Sequence, residues 1–151
     1  MTRIKQGIAL SLIVAGAALG ACSDNTEPNP CDPFEGTWNA TTFTYTLLDG
    51  TVIDVRSQFG ASIQLVADDQ CSYTGSAVIP PATSAVDLSG TFTLGDGTLT
   101  LNETNVPTLS QTFDYTLNGN TLTLVNEDSG IDVDMDGTEE DATLTIVLTR
   151  S

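Results

Sequence analysis

Asp132, Asp134 and Asp136 stand at alternate positions and are followed by Gly137, Thr138 and Glu140. Alternate carboxylates in a turn can converge on one hard cation, and an all-oxygen set suits calcium. Gly137 permits the sharp turn such a site needs. Thr138 would offer its backbone carbonyl, and Glu140 would ligate directly or through a water. Elsewhere the inventory is more telling for what it lacks. The chain has no histidine, and its single lysine is Lys5. Ser-His-Asp and Ser-Lys mechanisms and histidine-based zinc sites therefore have no residues to build them. Cys31 and Cys71 lack the imidazole that cysteine nucleophiles normally use. Paired carboxylates can cleave glycosides, but no cleft motif singles out a pair among 20 Asp and Glu. The expectation is a protein that binds rather than catalyses.

The spacing from Asp132 to Gly137 resembles the first half of an EF-hand loop. The resemblance stops at the twelfth position, where a bidentate Glu is normal and Thr143 stands instead. No flanking helices are apparent. The residues thus fit either a weak calcium site in a β-loop, with a dissociation constant of about 10⁻⁴–10⁻³ M, or a solvated acidic loop. No other cofactor is implied.

All 20 acidic residues follow residue 21, and so do Arg56 and Arg150, two of the four cations. Removal of the first 21 residues would leave a net charge of −18. Such a surface repels nucleic-acid phosphates and anionic lipid head groups, attracts cations and favours solubility. Nucleic acid is excluded as a partner. An acidic face for a basic partner is the sharper alternative to plain solubility.

Arg3 and Lys5 precede an uncharged, mostly apolar run from Gly7 to Ala21. The run is short for a bilayer span, which needs about 20 apolar residues, and has the layout of a secretory signal peptide. It ends in Leu19-Gly20-Ala21-Cys22, which resembles the bacterial lipobox. That resemblance implies cleavage before Cys22, lipid modification of Cys22 and a membrane anchor. Several acyl chains anchor stably where one does not. Ser23 in the following position, where Asp favours the inner membrane of enteric bacteria, implies the outer membrane of a bacterial envelope. Residues 22–33 then read as a flexible, lipid-anchored tether, polar and rich in proline.

With Cys22 lipidated, Cys31 and Cys71 remain as an even pair. Outside the cytoplasm they are expected to be oxidised to each other, with free thiols or an intermolecular bridge as alternatives. The loop of about 40 residues would contribute roughly 4 kcal/mol in the chain-entropy model.

From Thr37 onward apolar and polar residues alternate, and Thr and Val are abundant, which predicts strands. The segments are Thr37–Leu48, Thr51–Ala67, Cys71–Ile79, Val86–Leu94, Thr98–Leu101, Gln111–Leu117, Thr121–Val125 and Ala142–Thr149. Asp49-Gly50, Gly95-Asp96-Gly97 and Asn118-Gly119-Asn120 mark turns. Gly60 divides the second segment. A strand ending there would send Cys71 to the far end, about 20–25 Å from Cys31 for seven residues, whereas a disulfide needs Cα atoms within about 7 Å. One long strand kinked at Gly60 is therefore preferred. About eight strands follow, with tight turns after Ala67, Leu94 and Leu117 at one end. Longer loops at Pro80, Glu103 and Asn126 fall at the other. That alternation predicts an all-β, up-and-down antiparallel barrel with a closed base and a mouth. A two-sheet β-sandwich is the rival.

Gly36-Thr37-Trp38 at the start of the first strand resembles the Gly-x-Trp of lipocalins and related calycins. In those proteins the tryptophan packs across the barrel base, and an arginine after the last strand covers its ring. Arg150 stands in that position, and the contact would contribute about 0.5–2 kcal/mol. A core tryptophan of any β-domain and a solvated terminal arginine are the plainer alternatives. The resemblance covers residues 34–151 and implies a lipocalin-like domain of a bacterial lipoprotein, with a small apolar ligand as the implied partner. The competing expectation is a calcium-stabilised structural domain of the envelope with a filled core, engaging a protein or polymer.

Overall fold

The computed structural model describes residues 27–79, 84–105, 110–133 and 136–151. The expected signal peptide, Cys22, the first part of the tether and Asp134 lie outside them. A 3-10 turn, Asp32–Phe34, leads into β1 (Gly36–Leu47), β2 (Val52–Asp54), a short helix α1 (Val55–Phe59), β3 (Ser62–Ala67) and β4 (Ser72–Val78). β5 (Val86–Leu94), β6 (Thr98–Glu103), β7 (Gln111–Asn118), β8 (Thr121–Ile131) and β9 (Glu140–Arg150) complete the chain. Each of β3 to β9 pairs with its sequence neighbour, and β1 pairs with both β3 and β9. The ring therefore closes through eight antiparallel strands, and β2 is a ninth segment laid on β1. Closure by the β1–β9 ladder rules out the two-sheet sandwich.

The segment 51–67 is not one kinked strand. It is two strand pieces separated by α1. The caps explain the break. Asp54 Oδ1 accepts from the backbone N–H of Arg56 (3.0 Å) and Ser57 (3.2 Å), as an N-cap does. Gly60 ends the helix in the left-handed conformation at φ 72°, where glycine carries no penalty. Both pieces run antiparallel to β1, β2 against Thr44–Thr46 and β3 against Gly36–Asn39. They form one interrupted pass, so Cys71 still returns to the base.

β1 also carries a bulge. Ala40 pairs with Leu148 and Thr42 with Val147, which leaves Thr41 extra. One inserted residue reverses the inward parity. Trp38 and Ala40 are buried before it, and Phe43 after it. The Thr41 carbonyl accepts from Arg56 Nη1 of α1 (2.6 Å), so the helix covers the stretch of β1 that neither β2 nor β3 pairs.

Two further boundaries differ from expectation. β6 continues to Glu103, where the sequence suggests a loop, and β8 continues past Val125 to Ile131. The polar and glycine residues 126–130 hide the second extension, because β9 rather than the core supplies their pairing, with a bulge between Asn126 and Ser129.

Candidate ligand cavity

The base of the barrel is the end of the turns after Ala67, Leu94 and Asn118. Trp38 and Leu148 are almost wholly buried there. Trp38 Nε1 donates to the Phe34 carbonyl at 2.6 Å, which satisfies a buried indole N–H. The Phe34 ring plugs the opening against Phe92 and Tyr115, with centroids 5.4 and 5.5 Å away. Arg150 pairs with Trp38 in the β1–β9 ladder and sets its guanidinium carbon 4.6 Å from the ring centroid. Its Nη2 donates to the Pro33 carbonyl. Gly36 makes room: its φ is 129°, and a Cβ there would sit 3.2 Å from Arg150 Cδ. Cys31 and Cys71 are disulfide-bonded, with Cα atoms 5.2 Å apart. The void left at this end is only about 30 Å³.

Toward the mouth the same barrel holds a cavity of about 140 Å³. Its floor is shared with the base and consists of Leu65, Tyr73, Leu101, Leu124 and Leu148. Phe43, Ile63, Leu88, Phe113 and Leu144 are among its walls. Ala77 of β4 lines it. Gly75 and Gly90 share the inward parity of Tyr73, Ala77 and Phe92 and let neighbouring strands come close, since a Cβ at either would lie 2.1 Å from a backbone carbonyl oxygen. Tyr45 stands on the wall, where burial pushes its phenol up. A hydrogen bond with Ser129 opposes that shift, and the Glu139 carboxylate adds to it.

The cavity contains one charged side chain. Glu103 is 6% exposed, the only buried charged residue among those described. Its Oε2 accepts from the Tyr73 hydroxyl (2.8 Å) and its Oε1 from the Ser89 backbone N–H (2.7 Å). Its own N–H donates to Ser110 Oγ (3.0 Å). Burial and the hydrogen bond to Glu103 push the Tyr73 phenol far up, and the carboxylate charge adds to the shift. Strand register builds this group. Tyr73 pairs with Gly90 across β4 and β5, and Gly90 pairs with Glu103 across β5 and β6. The tyrosine hydroxyl reaches Glu103 over Gly90, where a Cβ would lie 3.0 Å from it and 2.1 Å from the Asn102 carbonyl oxygen.

None of this cluster is among the site residues expected from sequence. Its signal is one of parity: Leu99 and Leu101 face inward, and Glu103 is the next residue of that parity.

The acidic loop lies at the tip of the β8–β9 hairpin. Asp132 accepts from the backbone N–H of Asp136 (3.1 Å, Oδ1) and Gly137 (3.0 Å, Oδ2). Asp136 Oδ1 accepts from Thr138 N–H (2.8 Å), and Glu140 Oε2 from Val133 N–H (2.9 Å). These carboxylates brace the turn. Among the described residues no group of three or more Asp, Glu, Cys or His side chains is gathered as a metal would require. Asp134, the central carboxylate of the expected calcium site, lies outside the described residues.

The closed eight-strand ring, the capped base and the interior cavity define a small calycin-type barrel. The family profile of the lipocalin-like domain matches residues 34–124, and the chain belongs to that family. Among solved structures it is similar to a lipocalin-like protein from Bacteroides uniformis, at 14% identity and a TM-score of 0.48. That match covers 79% of this chain and 99% of the other. An uncharacterized protein from Bacteroides eggerthii is similar at 15% identity and a TM-score of 0.44, over 78% and 98% of the two chains. No curated protein matches the chain.

Proposed function

We propose that this is a binding protein that holds a small, mainly apolar ligand in the cavity above Leu65, Leu124 and Leu148. The observation that carries the proposal is the cavity of about 140 Å³ in a barrel whose other end is packed shut. A cavity of roughly 150 Å³ lined by aliphatic and aromatic side chains admits benzene. Drug-sized ligands need about 300 Å³ or more. The ligand is therefore compact, about ten non-hydrogen atoms or fewer. The void also favours a binding barrel over a structural domain with a filled core. The absence of histidine, with Lys5 the only lysine, supports a non-enzymatic role.

The test is uptake of toluene by the full-length protein, read by calorimetry and by the shift in melting temperature. Saturable binding is expected. Ala77→Leu, which adds a side chain to the cavity, should abolish it while the protein stays folded. No uptake by the parent protein would overturn the proposal.

In the same proposal the protein is exported and anchored to the bacterial outer membrane through Cys22, with the tether shortened to residues 22–28, because Asn29, Cys31 and Pro33 of the expected 22–33 segment are bonded to the barrel base. The Leu19-Gly20-Ala21-Cys22 pattern supports this, and the disulfide fits an oxidising compartment. Replacing Cys22 by Ser should move the protein from the membrane to the soluble fraction. Continued acylation of that variant would defeat the anchor.

A further inference from the structure

We infer that the cavity selects a cation: a compact apolar molecule carrying one protonated amine, which sits against Glu103. The inference rests on the proposed binding function and narrows its ligand class. It starts from an imbalance. A buried carboxylate is costly unless it is paired and hydrogen-bonded. Glu103 has its hydrogen bonds, but both donors, the Tyr73 hydroxyl and the Ser89 N–H, are neutral.

Among the described residues no cation fills the gap. The described residues include two, Arg56 and Arg150. Arg56 is tied to the Thr41 carbonyl and Arg150 to the base over Trp38. A carboxylate has about four acceptor positions, and the named donors occupy two. The remaining capacity belongs to a carboxylate that itself lines the cavity. An ammonium supplies three donors and a full positive charge, while the apolar walls take the rest of the molecule. The two bonds already present have only the acceptor charged; an ammonium would add the opposite charge that a buried carboxylate needs. The charge at that end of the barrel reinforces the choice. Asp132, Glu139 and Glu140 lie at the same end of the barrel as the cavity. Acidic groups around an entrance raise the local concentration of cations and exclude anions.

The experiment compares benzylamine, benzyl alcohol and toluene by calorimetry on the full-length protein, the three differing mainly in one group. The amine is expected to bind at least about tenfold more tightly than the alcohol. In Glu103→Gln it should lose about tenfold or more, with the alcohol and toluene changed by less than about threefold. Tyr73→Phe keeps the carboxylate and frees an acceptor. Its preference for the amine should persist, so this variant decides the matter if Glu103→Gln fails to fold. Binding of toluene and benzyl alcohol without preference for benzylamine would overturn the inference and leave the apolar cavity standing. Failure of all three to bind would overturn both.

Discussion

The two ends of this barrel are built from the same alternating strands and do opposite things. At the base the inward positions carry Trp38, Phe92, Leu122 and Leu148, and Phe34 closes what remains. Backbone contacts secure the terminus there, Arg150 N–H to the Asn120 carbonyl (2.8 Å) and Ser151 N–H to the Thr37 carbonyl (3.0 Å). Toward the mouth, β4 and β5 place Gly75, Ala77 and Gly90 on the inward parity, and the barrel opens into a cavity with a carboxylate in its wall. The base is thus packed shut, whereas the other end keeps a void and a buried charge within the same core cluster. Substitutions at the base should unfold the protein, and substitutions toward the mouth should change what it holds.

Trp38→Ala should break the comparison hardest. It removes a buried aromatic ring, its hydrogen bond to Phe34 and the platform under Arg150. A loss of about 3–5 kcal/mol is expected, measurable as a lower midpoint in urea denaturation. A loss below about 1 kcal/mol would mean that the base is not where stability resides.

Removing the disulfide with Cys31→Ser and Cys71→Ser comes next. The bridge spans a sequence separation of 40 and ties the 3-10 turn to the turn before β4. The expected loss is about 2–4 kcal/mol. Because the cavity is lined by other residues, ligand uptake by the folded fraction should be unchanged. Lost affinity at a temperature where the variant is fully folded would show that the two ends are coupled.

Gly90→Ala probes the cavity end. The new Cβ would have to be accommodated 2.1 Å from the Asn102 backbone oxygen and 3.0 Å from the Tyr73 hydroxyl. Backbone does not yield as a side-chain tip does, so strain of about 1–3 kcal/mol is expected. The Tyr73–Glu103 contact should loosen, and ligand affinity should fall with it. Unchanged affinity would separate the cavity from this row of residues.

Much of the barrel is legible in the sequence, for a physical reason. A strand with one buried face must alternate, so Phe92 and Leu94, Leu99 and Leu101, and Phe113, Tyr115 and Leu117 each declare a direction. Requiring Cys71 to return beside Cys31 then sets the number of passes, and the structure closes the ring that this count implies. Other features carried weaker signals. Five residues make too short a helix for a periodic pattern, and only the caps Asp54 and Gly60 mark α1. The bulge at Thr41 has no glycine to announce it; the change of inward parity between Trp38 and Phe43 is its trace. Glu103 escapes the pattern because its polarity reads as the end of β6. A polar residue at an inward position is also how a binding site interrupts a core, and Gly90 at an inward position of β5 marks the approach of Tyr73.

The smallest effect is also the one that isolates the charged group. Tyr73→Phe removes a hydroxyl and leaves the ring, so the base is untouched and Glu103 loses one of its two neutral donors. About 1–2 kcal/mol of stability should be lost at neutral pH. The pH dependence gives a second readout with a definite sign. The Tyr73 phenol is held far above its ordinary value of 10.0 by burial, by its hydrogen bond to Glu103 and by the carboxylate charge. In the unfolded chain it ionises near pH 10. Above that pH the unfolded state releases a proton that the folded state keeps, so stability falls as pH rises. The contribution is complete below about pH 10 and is lost progressively toward the folded-state value, with a slope of at most about 1.4 kcal/mol per pH unit for one group. Urea midpoints measured from pH 8 to 11 should therefore decline less steeply in Tyr73→Phe than in the parent. A residual decline is expected from Tyr45, whose phenol burial also raises. Equal slopes in the two proteins would mean that Tyr73 ionises normally in the folded state, and that the cavity end is wetter than its geometry implies.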